Sequence, residues 1–377
     1  MAAAPDKPRP DLLSRTPAYQ NGGFTYDRWM EAQGLPIHRG YYIGDLRTAP
    51  LGRWDERECD AAFIQLMGQE GVSEARISEI RPGATLPPLK LAVDELIYVV
   101  EGRGLTTVWP SEGAAKTTFE WQTRSMFVVP HNFTHQLSNA QGDRPVRLLH
   151  YNYLPVAMSA VQDPSIFFNN PVGVGESVED QLYAEARGIT GEIQGMPAPG
   201  SFWYGNFFPD MGAWDKLVPF RGRGAGGTTV FVGFPGSELS CHMSVFPART
   251  YKRAHRHGPG RVIVIPRGEG FSILWEEGKE KIVVPWHEAS LFVPPNRWFH
   301  QHFNLGGEPA RYLAFHPLRQ FSGHAESVQD RARDQIDYTA EEPWVREKFE
   351  AELAQRGLST GMPPEAYTIP NYEWGYD

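Results

Sequence analysis

At 377 residues the chain is longer than one hydrophobic core usually supports, so two domains are expected. Its apolar share of 41% is that of an ordinary soluble globular protein, and no apolar run reaches membrane-spanning length. A formal net charge of −9 excludes a general nucleic-acid binder, which needs a basic face, and Cys59 and Cys241 alone give neither a disulfide framework nor a thiolate metal site.

From the start, Met1 to Asp11 is rich in Ala and Pro, carries charges and lacks the apolar stretch of a signal peptide, so a cytoplasmic location is expected. Short apolar runs bounded by Gly, Pro or charge predict strands at Leu96–Val100 and Ser125–Val129. Ser165–Gly175, with Asn169, Asn170 and Pro171, reads as a linker, and Glu176–Arg187 has helical spacing. Gly222–Gly227 is glycine-rich but lacks the Lys-Ser/Thr of a phosphate-binding loop, so it reads as a mobile loop and a candidate lid. Further strands are predicted at Arg261–Ile265 and Ala289–Val293. Glu342–Arg356 is amphipathic, with Val345, Phe349 and Leu353 on one face, and is expected to cover a barrel edge or a neighbouring subunit. The aromatic stretch Tyr367–Asp377 reads as a docked tail.

One spacing is written twice. In the second half His255, His257, Arg261, Gly268, Gly270, Pro295, His300 and Asn304 follow one another at set intervals. The first half repeats the frame as Leu89, Leu91, Glu95, Gly102, Gly104, Pro130, His135 and Asn139. The chain therefore reads as a duplicated unit in which only the second copy keeps a full set of imidazoles.

These motifs resemble the two motifs of the cupin superfamily, His-x-His with a following Glu and Gly-x-Gly, then Pro, His and Asn, and their doubling resembles a bicupin. The resemblance covers roughly residues 70–155 and 235–318. It implies an all-β fold of two jelly-roll barrels in tandem with a few peripheral helices. The expected organisation is an N-terminal extension (1–60), a first barrel with a degenerate site (61–164), a linker with a helix (165–230), a second barrel with a metal site (231–320), and a C-terminal helix and tail (321–377). A homodimer or higher homo-oligomer is expected.

Residues two apart in a strand face one side, so His255 and His257 point inward together while Arg256 points away. With His300 they make a three-histidine site that suits Fe(II), and equally Zn, Mn, Ni or Cu. His302 shares the inward parity of His300 and is expected to line the pocket. Arg261 replaces the family's Glu; a guanidinium has no lone pair to donate, so the site stays cationic and favours an anionic small molecule. Trp298, two before His300, is an expected pocket wall, with Phe271, Trp275 and Phe303 near the same strands. In the first copy Glu95 and His135 lack partners, so a structural role is expected there.

The resemblance to gentisate-type ring-cleaving enzymes implies a mononuclear non-haem Fe(II) dioxygenase acting with dioxygen on an aromatic or enolisable carboxylate or phenol. In that group the intact site lies in the first barrel; here it lies in the second. On this reading Arg261, His302 and Trp298 serve catalysis. The alternative is a redox-neutral isomerase, lyase or decarboxylase using Zn, Mn or Ni, or a non-catalytic ligand-binding cupin. Oxalate-decarboxylase-like chemistry is disfavoured by Arg261 standing where an extra Glu ligand is required.

Overall fold

The computed structural model describes residues 24–69, 71–171, 181–193, 196–322 and 333–376. The fold is two β-barrels in tandem, each built from a large and a small sheet. The first large sheet runs Ile37–Gly40, Cys59–Leu66, Glu74–Ile80, Val146–Asn152, Glu95–Glu101, Met126–Val129, Phe207–Phe208. Its small partner is Leu89–Lys90, Thr134–Asn139, Arg103–Trp109, Thr117–Gln122. The second barrel repeats the plan: Thr228–Gly233, Ser240–Phe246, Ala310–His316, Val262–Arg267 and Leu291–Phe292 lie in its large sheet. Its small sheet is Ile282–Trp286, Gly270–Trp275, Phe299–Asn304, Ala254–His255, Gln335–Ile336. All four strands expected from apolar runs are present.

Burial accounts for those patterns. Glu95–Glu101 and Val262–Arg267 are buried at every position but the last, because one face lines a barrel and the other meets the second barrel. Arg103–Trp109, in the small sheet, alternates buried and part-exposed positions. A single core cluster joins the barrels, with Tyr98, Met126 and Tyr151 of the first packed among Cys241, Val262 and Phe315 of the second. The Tyr151 and Phe315 rings lie 5.4 Å apart.

The barrels also trade strands. Tyr42–Ile43 pairs with Leu291–Phe292 of the second barrel, and Phe207–Phe208 pairs with Met126–Phe127 of the first. Segments expected to be extension and linker thus complete sheets. Within the expected linker, Arg187–Ile193 and Met196–Tyr204 form a hairpin, a β element that the sequence reading did not foresee. The expected helix is one turn, Gln181–Ala184, with Arg187 already extended; residues 176–180 lie outside the described residues. The start of the linker is packed: Phe168 bridges Leu91 and stacks on Trp29 at 4.9 Å, closing over the first barrel.

In the glycine-rich run Gly222 is exposed, whereas Gly224, Ala225 and Gly227 are buried. Gly224 lies against Tyr338, Gly226 against Trp374 and Gly227 against Lys252, since residues without bulk let the C-terminal aromatics close onto the backbone. The helix Pro343–Gln355 buries Val345, Phe349 and Leu353 on the second barrel, where Phe349 meets Tyr251 at 4.9 Å and Phe303 at 5.7 Å. Each such side chain contributes roughly 1.5–3 kcal/mol. In the tail, Trp374 packs 6.4 Å from Tyr338, and Arg221 lies over Tyr376. Among the described residues no helix is long and apolar enough to cross a membrane.

Candidate metal centre

The duplicated spacing is duplicated geometry. His135 pairs across the sheet with Leu89, and His300 pairs in the same way with His255. Asn139 pairs with Gly104 and Asn304 with Gly270. Each Asn amide donates to three backbone carbonyls, those of Ile80, Arg81 and Arg144 in one barrel and of Phe246, Pro247 and Glu308 in the other, which ties the loops at that end. A Cβ at Gly104 would meet the Ser138 carbonyl and Trp121; one at Gly270 would meet the Phe303 carbonyl and Trp286. Those two indoles donate in turn to Thr106 and Ser272, two residues beyond each glycine.

His255, His257 and His300 form one cluster, with a donor atom of each within 4.8 Å of the others and all three side chains buried. Their rings lie 4.2 Å (His255–His300), 4.6 Å (His257–His300) and 5.9 Å (His255–His257) apart. Each Nδ1 faces a backbone carbonyl: Gly258 at 2.8 Å from His257, Trp298 at 3.3 Å from His300 and Arg253 at 3.4 Å from His255. Such contacts hold the proton on Nδ1 and leave Nε2 as the lone-pair atom, the tautomer a metal ligand needs. Burial, followed by Arg223 and the neighbouring imidazoles, drives His255 well below its ordinary range, so it is neutral. Buried imidazoles with no acid in their cluster among the described residues fit a divalent first-row ion, which this set would hold through three nitrogens.

The sequence profile of the family described as Cupin matches residues 60–150. The second barrel repeats that unit strand for strand. The chain has a bicupin fold. No curated protein matches it. Among solved structures, it is similar to Lactobacillus farciminis oxalate decarboxylase in a formate complex (12% identity, 75% of this chain and 87% of that one, TM-score 0.48). It is also similar to oxalate decarboxylase from Bacillus subtilis (11% identity, 88% and 85%, TM-score 0.48) and to the Momordica charantia 7S globulin (14% identity, 73% and 83%, TM-score 0.43).

Within the bicupin the two barrels act as controls for each other. The Leu86 N–H donates to the Leu137 carbonyl at 2.9 Å, and the Lys252 N–H donates to the His302 carbonyl at 3.0 Å in the matching place. Leu148 lies opposite Ser78, as Tyr312 lies opposite Ser244. Five leucines of the first interior, Leu86, Leu89, Leu91, Leu137 and Leu148, are therefore answered by Lys252, His255, His257, His302 and Tyr312. At these five places the second barrel carries polar or ionisable side chains where the first is apolar.

His302 stands 5.5 Å from His300, ring to ring, and bonds Ser272 through Nδ1 at 2.8 Å. Its ring packs between Phe292 and Tyr312, outside the cluster of three. Arg261 is buried, at 9% exposure, and so does not swing out to solvent. Burial, then Arg223, lowers its guanidinium to about 10. Its position is set by the first barrel, because the preceding Gly260 accepts from Tyr151 Oη at 2.8 Å and donates to the Gly68 carbonyl at 2.7 Å.

The expected aromatic wall is elsewhere. Phe271, Trp275 and Phe303 are one residue out of phase with Ser272, His300 and His302, so they face the opposite side of the sheet. There Phe271 stacks on Phe303 at 4.4 Å and Trp275 on Phe299 at 5.5 Å, beneath the C-terminal helix. Trp298 is part-buried with its ring 6.1 Å from Tyr41, and its carbonyl is the one that faces His300 Nδ1.

Four residues near the site gave no motif signal: Arg223, Lys252, Asp334 and Gln335. Gln335 pairs directly with His255, and its amide oxygen accepts from Arg223 Nη1 at 2.9 Å. Asp334 binds Arg256 at 3.1 Å and Arg297 at 2.5 Å, and its carbonyl accepts from the Arg256 N–H, which clamps the residue between the two first histidines. Lys252 alone was recoverable from sequence, as a charge at the offset where the first copy has Leu86.

In the first barrel the vacated site is filled by a buried ionic network. Arg76 binds Glu95 at 2.8 Å and also contacts Glu74; His150 Nδ1 lies 3.3 Å and His135 Nε2 3.8 Å from Glu95; Ser78 meets His150 Nε2 at 2.7 Å. Burial acts to raise Glu95, yet His150 and Arg76 hold it well below the carboxylate range. Burial lowers His135 to about 4 and raises Glu74 to about 7. A guanidinium thus neutralises the carboxylate that the family motif would offer to a metal.

Proposed function

We propose that the bicupin is a metal-dependent enzyme whose second barrel holds one divalent ion on His255, His257 and His300 and acts on a small anionic substrate. The observation that carries this reading is the convergence of three buried, carbonyl-oriented imidazoles with, among the described residues, no carboxylate in their cluster. Such an ion keeps its double charge and, when bound, would polarise a substrate oxygen or bring an anion and dioxygen together. Arg261 adds cationic charge where the family motif has an acid. Burial of the histidines excludes bulk water, which strengthens each of these interactions.

Within this reading the finer assignment is a non-haem Fe(II) dioxygenase, supported by three neutral ligands that leave open positions for a bidentate anion and dioxygen. A redox-neutral lyase or isomerase is supported by a separate observation. Lys252, His302 and Tyr312, all able to carry a proton, replace leucines beside the cluster, and burial brings the Lys252 amine down to about 7.

The test is metal analysis of protein purified without added metal, followed by oxygen uptake after anaerobic Fe(II) loading with hydroxylated aromatic acids and enolisable ketones. One ion per chain, lost in His257→Ala, is expected. Iron with substrate-dependent uptake supports the dioxygenase; zinc, manganese or nickel without uptake supports redox-neutral chemistry. A chain that retains no divalent metal refutes the proposal.

A further inference from the structure

We propose that His242 and His316 carry protons from one end of the second barrel to the buried Lys252 amine. This rests on the reading in which Lys252 moves a proton for redox-neutral chemistry at the three histidines. The amine is fully buried, sits on Ser244 Oγ and lies 5.4, 5.4 and 5.2 Å from the rings of Phe220, Phe246 and Tyr312, which shield it from water. An amine so enclosed exchanges protons with solvent through neighbouring side chains. Strand parity supplies them. Cys241, Met243, Leu313 and Phe315 belong to the core between the barrels, so Ser240, His242, Ser244, Tyr312 and His316, which alternate with them, face the barrel interior.

Ser240 begins its strand, His316 ends the neighbouring one, and the two lie opposite each other. Both histidines are part-exposed at this end. Ser240 Oγ meets His316 Nδ1 at 3.3 Å, and His316 Nε2 meets His242 Nδ1 at 2.7 Å. The His242 ring stands 5.7 Å from that of Tyr312, at 86°. The Tyr312 phenol is hydrogen-bonded to Ser244, its cross-strand neighbour, and Ser244 holds the amine. A proton entering at His316 Nδ1 releases one from Nε2 to His242 Nδ1. His242 then releases one from Nε2 to the Tyr312 phenol, which passes its own to Ser244, and Ser244 passes its own to the amine. Each group on the way gains one proton and loses one, so only Lys252 changes charge. Burial brings that amine down to about 7, where it takes up or gives back a proton near neutrality. In the first barrel Glu74, Arg76, Leu148 and Asn152 stand at the places of Ser240, His242, Tyr312 and His316. A guanidinium stays protonated and a leucine carries no exchangeable proton, so the same row cannot conduct there.

The test follows exchange of the Lys252 amine protons with water, by NMR of the full chain carrying isotopically labelled lysine, just below neutral pH. The signal is assigned by its loss in Lys252→Leu. His242→Gln and His316→Gln should each slow the exchange at least tenfold, since a positioned acid–base group is worth about 10²–10⁴-fold in proton transfer. Tyr312→Phe, which keeps the ring and loses only the hydroxyl, should slow it likewise. Added imidazole should restore part of the rate in His316→Ala, a rescue that a merely structural role would not show. Wild-type rates in these variants, folded as judged by circular dichroism, or no response of His316→Ala to imidazole, overturns the proposal. The measurement needs neither substrate nor metal. Exchange that depends on both histidines in a chain whose turnover consumes dioxygen would uphold the path and sink the redox-neutral reading alone, whereas redox-neutral turnover with wild-type exchange in the variants would sink the path alone.

Discussion

Replacing Lys252 with leucine, the residue at the matching place in the first barrel, should stabilise the protein. The amine is fully buried, and burial, then Arg223, lowers it from 10.5 to about 7. At about 1.36 kcal/mol per pH unit that fall corresponds to about 4–5 kcal/mol of destabilisation. Losing the bond to Ser244 returns about 1 kcal/mol, leaving a net gain of about 3 kcal/mol near neutrality. The pH dependence follows from the direction of the shift. A base with a lowered folded pKa binds more protons when unfolded, so wild-type stability rises with pH between about 7 and 10.5. The advantage of Lys252→Leu should thus be full at pH 7 and below and vanish near pH 10.5. With an unfolding entropy of about 0.8 kcal/mol/K for 377 residues, the gain is about 4 °C in Tm at pH 7. Thermal unfolding of both proteins from pH 6 to 10, followed by circular dichroism, reads this directly. A variant less stable than wild type at pH 7, or an advantage that does not shrink with pH, would refute the assignment of Lys252 as a buried amine held against its solvation.

Asp334→Ala frees Arg256 and Arg297 around the first two histidines; zinc affinity measured by competition with a chelator should fall by about tenfold, as for other groups that orient ligands. Arg76→Met removes the internal cation of the first barrel and leaves Glu95 and Glu74 buried without it. Chemical unfolding should show a loss of about 3–5 kcal/mol, and metal content at the second barrel should stay at one ion per chain.

The order of elements, the duplication and the three histidines were legible because they are local facts. Strand parity places His255 and His257 on one face whatever the neighbours do, and the spacing from Gly270 to Asn304 has to be kept for the sheet to pair. Residues that reach the site from afar were not legible. Arg223 arrives on a loop that glycines alone describe, and Gln335 lies in a strand, with Asp334 just before it, added to the small sheet about 80 residues after His255. The aromatic residues of the second barrel were misplaced for a related reason: parity says which residues share a face, and only the position of the C-terminal helix decides which face is covered and which is the interior. The sequence by itself determined two barrels and one cluster of three histidines, since hydrophobic period and residue spacing are properties of neighbouring residues. Tertiary structure alone decided where the charges gather, that strands are exchanged between barrels, and that Arg76 stands in for a cation, because long-range packing sets which distant groups are forced into one low-dielectric space.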